Sequence, residues 1–191
     1  IGFCLVGSEM CIRDRSDYDN LQQSLEIISK EHKDIGVIVN NAGSTQDSLI
    51  FRMKKDEWSR IIQTNLNSNY QIIKSLLPNM LSNKYGKIIG ISSIVGSTGN
   101  AGQSNYVASK SGMVGLYKSI ALEVAKRNIN VNTISPGFIS TAMTENLNTN
   151  QKELYLSRIP MSRFCEPQDV ANLVYFLSTK DSSYICLLYT S

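Results

Sequence analysis

The sequence has few residues of the types that mark a disulfide-rich, metal-binding or membrane-embedded protein. Its 191 residues include 4 Cys, 4 Pro, 1 His and 1 Trp, and no two cysteines have the spacing of a metal site or a redox pair. No apolar stretch reaches the roughly 18 residues that a transmembrane helix requires. The N-terminus also lacks the basic region that opens a signal peptide. These absences predict no metal, no disulfide framework, no membrane span and a cytoplasmic location.

Charge of one sign is not concentrated anywhere along the chain. The 19 basic and 16 acidic residues give a formal net charge of +3, and no five consecutive residues carry like charges. A nucleic-acid-binding tail or a polybasic membrane anchor would need such a run. The length is that of one globular domain, so we expect a single core that serves small-molecule chemistry or a protein partner.

The two ends of the chain differ in pattern from the middle. Residues 1–15 and 186–191 have no hydrophobic period that links them to the adjoining segments, and both resemble translated sequencing-adapter sequence. Segments of this kind are excluded from fold reasoning. We therefore expect a non-native segment at 1–15, a folded domain at 16–185 and a second non-native segment at 186–191.

Between these ends, helical and strand patterns alternate. Apolar residues with helical spacing predict helices from Asp17 to residue 32, over 56–81 and over 104–127, and Pro167 suits the first turn of another helix. The inner face of the second helix is predicted to contain Trp58, Ile62, Leu66, Ile73 and Leu77. Short β-branched runs predict strands over 35–40, 86–93 and 129–135. Such alternation indicates an α/β fold, a Rossmann-like three-layer sandwich around a parallel sheet.

One group of side chains is predicted to meet at an end of this sheet. Tyr106 and Lys110 lie four residues apart on a predicted helix and therefore share a face. Ser93 ends a predicted strand, and the carboxyl ends of parallel strands are where ligands bind. The loop over 96–103 is long enough to bring the three side chains to one crevice.

These three residue types together can reduce or oxidise a carbonyl group. A nearby ammonium is expected to lower the pKa of a phenol, so Tyr106 would exchange protons as a general acid or base. The Ser93 hydroxyl would hold the oxygen on which charge develops. Taken alone, a Tyr and a Lys at this spacing are also typical of an ordinary helix face, on which the Lys stem covers the ring.

The surrounding motifs resemble those of the short-chain dehydrogenase/reductases. The matching features are NNAG at 40–43, the Ser93, Tyr106 and Lys110 set, and PG at 136–137. The stretch from residue 91 to residue 143 is similar to the 3-oxoacyl-acyl-carrier-protein reductases of fatty-acid synthesis. The resemblance implies NADPH-dependent reduction of 3-oxoacyl-acyl-carrier-protein to the 3-hydroxyacyl form. Use of NADH, action on another carbonyl or alcohol, and a catalytically silent scaffold are the alternatives.

The resemblance also implies roles for individual residues. Asn65 would be the fourth catalytic residue, holding a water in a proton relay toward Lys110; the alternatives are a capped kink or a solvated helix position. The residues implied to line the cofactor are Asn41, Ala42, Gly43, Tyr106, Lys110, Pro136, Gly137, Ile139 and Thr141. An ordinary turn is the alternative for the first three.

Further contacts follow from the same resemblance. The segment over 138–151 would form a mobile lid, in which Phe138 and Met143 contact the acyl chain or simply pack. Lys84 and Arg127 would contact the acidic acyl carrier protein, although surface cations near helix ends are common. A homo-tetramer is implied through the helices that contain Asn65 and Tyr106.

One family feature has no counterpart in the sequence. The family begins with a strand, a glycine-rich turn and a helix that hold the pyrophosphate, and no G-x-x-x-G-x-G occurs here. The glycine-rich segment over 96–102 follows a middle strand, where the family has a loop on the substrate side. We therefore expect an incomplete domain without its first strands and its last strand, with an unpaired central strand edge and weak binding of nicotinamide nucleotide. The implied activity is accordingly that of the parent enzyme, and we expect the chain by itself to be inactive.

Overall fold

Three parallel strands form the centre of the computed structural model, which describes residue 15 and residues 17–140 and 149–187. The strand order within these residues is β1-β2-β3, and all neighbours are parallel. Asn40 lies opposite Gly90 in the β1–β2 register. The strands are β1 (Val37–Asn40), β2 (Gly86–Ile91) and β3 (Ile129–Ile134). The predicted α/β class and parallel sheet are confirmed.

Helices connect the strands and cover both faces of the sheet. They are α1 (Tyr18–Glu31), α2 (Lys55–Ile62), α3 (Ser68–Asn83), α4 (Val95–Thr98), α5 (Ser104–Val124), α6 (Thr149–Leu156) and α7 (Pro167–Ser178). A π-helical turn, Gln63–Asn67, joins α2 to α3. Across the described ranges, no helix is long and apolar enough to cross a lipid bilayer.

Local capping explains where two of the predicted helices begin. The Asp17 carboxylate accepts a hydrogen bond of 3.0 Å from the amide of Asn20, which satisfies a free amide in the first turn of α1. Pro167 is the first residue of α7, where its fixed φ suits a helix and its missing N–H costs nothing. Both start sites agree with the sequence prediction.

The core has two parts, one on each face of the sheet. Helices α1, α3 and α5 bury the larger cluster, which includes Leu25, Ile73, Met113, Tyr117 and Val131. Helix α7 covers the other face, where Leu177 packs with Ile89, Ile91 and Ile134. Alternate residues of β2 thus point into different clusters, as a strand covered on both faces requires.

The predicted inner face of the second helix was wrong at Trp58. Its side chain is 39% exposed, whereas Ile61 is almost fully buried. The buried stripe continues through Asn65 and Asn69, which are both fully buried. Because Asn65 and Asn69 are polar, a search for apolar residues with helical spacing misses this buried face. It selects the neighbouring, half-buried residues instead.

The last described residues run beside β3. The side chain of Asn130 donates 2.9 Å to the carbonyl oxygen of Ser183, and that of Asn132 donates 2.9 Å to the carbonyl oxygen of Ile185. Cys186 and Leu187 pack against the larger cluster. The segment boundaries expected from the sequence stay predictions.

Candidate active site

Ser93, Tyr106 and Lys110 lie together beyond the carboxyl end of β2. The Ser93 side chain lies close enough to the Tyr106 phenol to lower its pKa. Lys110 lies one turn further along α5, and its Nζ is 5.6 Å from the centroid of the Tyr106 ring. The arrangement predicted from sequence spacing is therefore present as geometry, while the chemical roles of the three residues stay predictions.

The Lys110 side chain is fixed against the end of β2. It is 3% exposed, and its Nζ donates a hydrogen bond of 2.6 Å to the carbonyl oxygen of Ile91. The Ser92 hydroxyl donates 3.1 Å to the backbone carbonyl of Lys110, which joins the same strand end to the helix. Burial lowers the pKa of Lys110 to about 8, because an ammonium loses hydration in this position.

The pKa of Tyr106 departs from the sequence prediction. Burial raises it, the hydrogen bond from Ser93 opposes that rise, and the Asp47 carboxylate adds to it. The predicted lowering by Lys110 was wrong, because desolvation dominates and the ammonium bonds Ile91 from a position over the ring. Tyr106 consequently keeps its proton at neutral pH.

Asn65 lies in the π-helical turn and connects three segments. Its Oδ1 accepts 2.9 Å from the amide of Ser44, and its Nδ2 donates to the Ser44 carbonyl at 2.9 Å and to the Ser109 hydroxyl at 3.1 Å. The turn itself is defined by the Ser68 amide, which donates to the carbonyl of Gln63 five residues back. The amide group of Asn65 is thus engaged by protein atoms, and its proposed role in a water relay stays a prediction.

Gly43 lies in contact with both Asn65 and Lys110. A Cβ at this position would lie 3.3 Å from Oδ1 of Asn65 and 3.4 Å from Nζ of Lys110, tighter than ordinary side-chain contacts. Asn41 and Ala42 precede it directly after β1, with Asn41 exposed and Ala42 half-buried. The absence of a side chain at Gly43 therefore keeps the surface beside Lys110 open.

The segment after β3 borders the same edge of the sheet. The Pro136 carbonyl accepts 3.0 Å from the amide of Ile94, which follows Ser93. Gly137 is exposed, and Ile139 forms a parallel bridge with Cys165. The Phe138 ring lies 4.3 Å from that of Tyr155, centroid to centroid, so this side chain packs within the segment that follows β3. Thr141 and Met143 fall outside the described residues.

Three polar residues of this region were missed by the sequence analysis. Asn105 is fully buried; its Oδ1 accepts 2.8 Å from the Tyr106 amide, and its Nδ2 donates 3.1 Å to the Gln46 carbonyl. The Ser109 hydroxyl donates 2.7 Å to the carbonyl of Tyr106. Asp47 accepts two 3.0 Å bonds from Gln103. Ser109 could have been found from the sequence, because it lies three residues after Tyr106 and therefore on the same side of the predicted helix.

Lys84 and Arg127 lie at the other end of the sheet. Lys84 ends α3 just before β2, and Arg127 ends the 3-10 turn just before β3. Both side chains are exposed, and the Asn128 side chain donates 3.1 Å to the Lys84 carbonyl, which brings the two helix ends together. Parallel strands begin at this edge, whereas Ser93 and Tyr106 lie where β2 ends.

Comparison with protein families decides the identity of the domain. The family model described as Enoyl-(Acyl carrier protein) reductase, adh_short_C2, matches residues 5–186. The chain belongs to the short-chain dehydrogenase/reductase family. Within this family, it is similar to curated 3-oxoacyl-acyl-carrier-protein reductases named FabG.

Three of these relatives show the extent of the similarity. The protein of Haemophilus influenzae is 49% identical over 170 residues, which are 89% of this chain and 70% of the relative. The protein of Vibrio harveyi is 45% identical over the same shares of the two chains. That of Thermotoga maritima is 43% identical over 89% of this chain and 69% of the relative.

Proposed function

We propose that this short-chain dehydrogenase/reductase reduces the 3-carbonyl of 3-oxoacyl-acyl-carrier-protein to a hydroxyl in fatty-acid synthesis, with NADPH as the reductant. The observation that carries the proposal is the Ser93, Tyr106 and Lys110 arrangement beyond β2. Its support is the 43–49% identity to relatives that bear this activity in their names. A cytoplasmic location stays a prediction from the sequence.

The residues around Gly43 fit a nicotinamide cofactor. The surface beside Lys110 is open only because residue 43 has no side chain, as close approach of a ligand to backbone requires. Together with Tyr106, Lys110 and Gly43, the residues proposed to hold the cofactor are Asn41, Ala42, Pro136, Gly137, Ile139 and Thr141. When bound, NADPH supplies the hydride.

The chain's own groups would then manage the proton and the charge. As negative charge develops on the carbonyl oxygen, the Tyr106 hydroxyl donates its proton to that oxygen, and the Ser93 hydroxyl donates a hydrogen bond to the same atom. The raised pKa of Tyr106 keeps it in the acid form, which suits the reductive direction. Lys110, with a pKa of about 8, is cationic at neutral pH, and its charge would lie beside the cofactor at Gly43.

Two other substrates are compatible with the family. The description of the matching model names enoyl thioesters, and members acting on other carbonyls or alcohols were an alternative from the sequence. A catalytically silent scaffold would have no need of a Ser93 hydroxyl beside the Tyr106 phenol or of the buried Lys110. The identity to named 3-oxoacyl reductases favours the 3-oxo substrate.

Turnover by the chain completed with the family's first strand and glycine-rich turn tests the proposal, with the purified chain alone assayed beside it. NADPH oxidation would be followed with acetoacetyl-carrier protein, with a small acetoacetyl thioester and with a crotonyl thioester, and NADH would be assayed in parallel. We expect the completed protein to oxidise NADPH with both acetoacetyl substrates, Tyr106→Phe to lose this activity, and the chain alone to show little of it. Consumption of the crotonyl thioester alone would identify an enoyl reductase instead, and no turnover of any substrate would contradict an enzymatic role.

The acyl carrier protein is the proposed partner, with Lys84 and Arg127 as its contacts. Helix α5 has 21 residues and is therefore about 30 Å long, with Tyr106 at its start and Arg127 just beyond its end. A carrier docked at Arg127 is thus separated from Tyr106 of the same copy by the length of the helix. We propose that it serves the site of a second copy.

A homo-tetramer that pairs helices of neighbouring copies would allow this. The outer face of α5 carries Ser111, Gly115, Ser119 and Leu122, and Leu122 is 71% exposed. None of the residues that the structure describes lies within 4 Å of a Cβ at Gly115, so a second helix has room to approach. In a two-fold, antiparallel pairing about Gly115, the end of one α5 lies beside the start of the other.

A further inference from the structure

Tyr117 lies on the buried face of α5, two turns beyond Lys110, and is fully buried. Its hydroxyl accepts a hydrogen bond of 2.7 Å from Nδ2 of Asn40 and donates one of 2.8 Å to Oδ1 of Asn69. The phenol occupies space left by Gly90, where a Cβ would lie 2.6 Å from the ring. The β1–β2 register places Asn40 beside Gly90, so the hydroxyl reaches both the strand end and α3.

Asn40 and Asn69, the two residues hydrogen-bonded to the Tyr117 hydroxyl, are each connected to the candidate active site. Asn40 is the last residue of β1 and is followed by the segment 41–43. Asn69 donates 2.8 Å from Nδ2 to the backbone carbonyl of Asn65, and the Asn65 side chain holds both backbone groups of Ser44. The contacts thus run from Tyr117 through Asn40 and the segment 41–44 to Asn65, and from Asn65 through Asn69 back to Tyr117. The Tyr117 hydroxyl closes this loop of contacts.

We propose that the Tyr117 hydroxyl is a positioning group, which holds the segment after β1 and the π-helical turn at a fixed separation so that Gly43 and Asn65 keep their contacts beside Lys110. The placement rests on the hydrogen bonds alone. Its consequence for turnover rests on the proposed function.

The Tyr117 hydroxyl supplies the one acceptor that Asn40 needs and the one donor that Asn69 needs. A neutral phenol offers one donor and can accept as well, and here it accepts from one amide and donates to another. Burial raises the pKa of Tyr117 well above its usual value, so the group stays neutral. A phenylalanine would fill the same space beside Gly90 but would leave Nδ2 of Asn40 and Oδ1 of Asn69 without this partner in a buried position, which is costly.

Amide hydrogen exchange at Ser44 tests the placement without any cofactor. The Ser44 amide belongs to an exposed residue and donates to Oδ1 of Asn65, so its protection reports where Asn65 lies. Exchange would be measured in the full chain, in Tyr117→Phe and in Ile120→Val, with the amide of Ile89 in β2 as the reference for global opening. Ile120 is a buried apolar residue of the same helix, and its variant loses packing without losing a hydrogen bond.

We expect Tyr117→Phe to accelerate exchange at Ser44 about tenfold beyond any change at Ile89, since a tenfold change corresponds to the loss of one hydrogen bond. Ile120→Val should change both amides equally. Equal changes in Tyr117→Phe, or a Ser44 amide without protection in the unmodified chain, would overturn the proposal. Asn69→Leu breaks the next link and should give the same selective acceleration if Tyr117→Phe does not fold.

Turnover supplies a second, separable readout. With the acetoacetyl thioester, Tyr117→Phe should lower kcat about tenfold and leave the thioester KM nearly unchanged, because the lost contact orients catalytic groups and touches no substrate. Ile120→Val should leave kcat unchanged. If the completed protein with an unmodified Tyr117 turns over no thioester, the proposed function fails, while exchange at Ser44 still decides the positioning role of Tyr117.

Discussion

The ammonium of Lys110 and the carbonyl oxygen of Ile91 form a 2.6 Å hydrogen bond in a position that is 3% exposed. Burial there lowers the pKa of Lys110 from 10.5 to about 8. Between these values the unfolded chain retains a proton that the folded chain has released. The free energy of unfolding therefore rises with pH across this window, and the cost of burying the charge is fully present below pH 8.

Lys110→Met is expected to remove most of this pH dependence. Lys110 should raise the free energy of unfolding by at most about 3 kcal/mol across this pH window, since each pKa unit corresponds to about 1.4 kcal/mol. Urea unfolding at several values between pH 7.5 and 9.5 measures it, and Lys126→Met, at an exposed position, is the control. Parallel curves for the unmodified chain and Lys110→Met would contradict the burial argument.

Tyr106→Phe should lower kcat by roughly 10² to 10⁴, the usual contribution of a general acid, and should change the KM of the thioester little. Ser93→Ala should lower kcat as well, because the hydroxyl that meets the Tyr106 phenol is lost. Tyr70→Phe, at an exposed position on α3, is the matched control. Unchanged turnover in Tyr106→Phe would exclude it as the proton donor.

Gly43→Ala should impair turnover, whereas Gly115→Ala should stabilise the fold. A methyl group at residue 43 presses on Asn65 and Lys110, so we expect at least a several-fold rise in the KM for NADPH together with a lower kcat. At residue 115 the methyl group contacts no described residue of its own copy, so in the dissociated chain it should raise the free energy of unfolding by up to about 1 kcal/mol through helix propensity. Steady-state kinetics and urea unfolding of both variants measure the contrast, which would be refuted if the two behaved alike.

Arg127→Glu should lower kcat/KM for acetoacetyl-carrier protein by about tenfold or more while leaving the small thioester unaffected, since charge reversal acts only on the docked acidic carrier. Lys84→Glu should behave in the same way. Assays of both substrates with each variant give the ratio. Equal slowing of both substrates would show that these cations do not contact the carrier.

Mixed oligomers distinguish docking within one copy from docking across copies. Coexpression of Arg127→Glu with Tyr106→Phe yields assemblies in which one copy has an intact Arg127 and the other an intact Tyr106. If the carrier serves a second copy, these assemblies should regain activity with the carrier-linked substrate. Activity no higher than that of the separate variants would place docking and chemistry on the same copy.

Features with a local cause were predictable from the sequence. The cap at Asp17, the helix start at Pro167 and the meeting of Tyr106 with Lys110 each depend on residues close in sequence. The strand alternation likewise gave the parallel sheet, because few topologies satisfy it.

The remaining features depend on contacts between distant segments. Asn65 reaches Ser44 only because the helix widens at Gln63–Asn67, and no residue type in that stretch indicates a π-helical turn. The polar stripe through Asn65 and Asn69 is buried because α5 offers hydrogen-bonding partners to both residues. The direction of the Tyr106 pKa shift likewise required the extent of its burial, which spacing does not give.

The π-helical turn also sets how this helix responds to changes in length. Each residue of an α-helix advances about 100° around the axis, and a π-helical turn accommodates one residue more than a straight helix would. Deleting one exposed residue of this stretch, Asn67, would therefore leave a continuous α-helix in which α2 and α3 keep their present faces. Ile61 would stay in the core, whereas the widened turn that brings Asn65 to Ser44 would be lost, so loss of a single residue would preserve the helix packing and disrupt the candidate site.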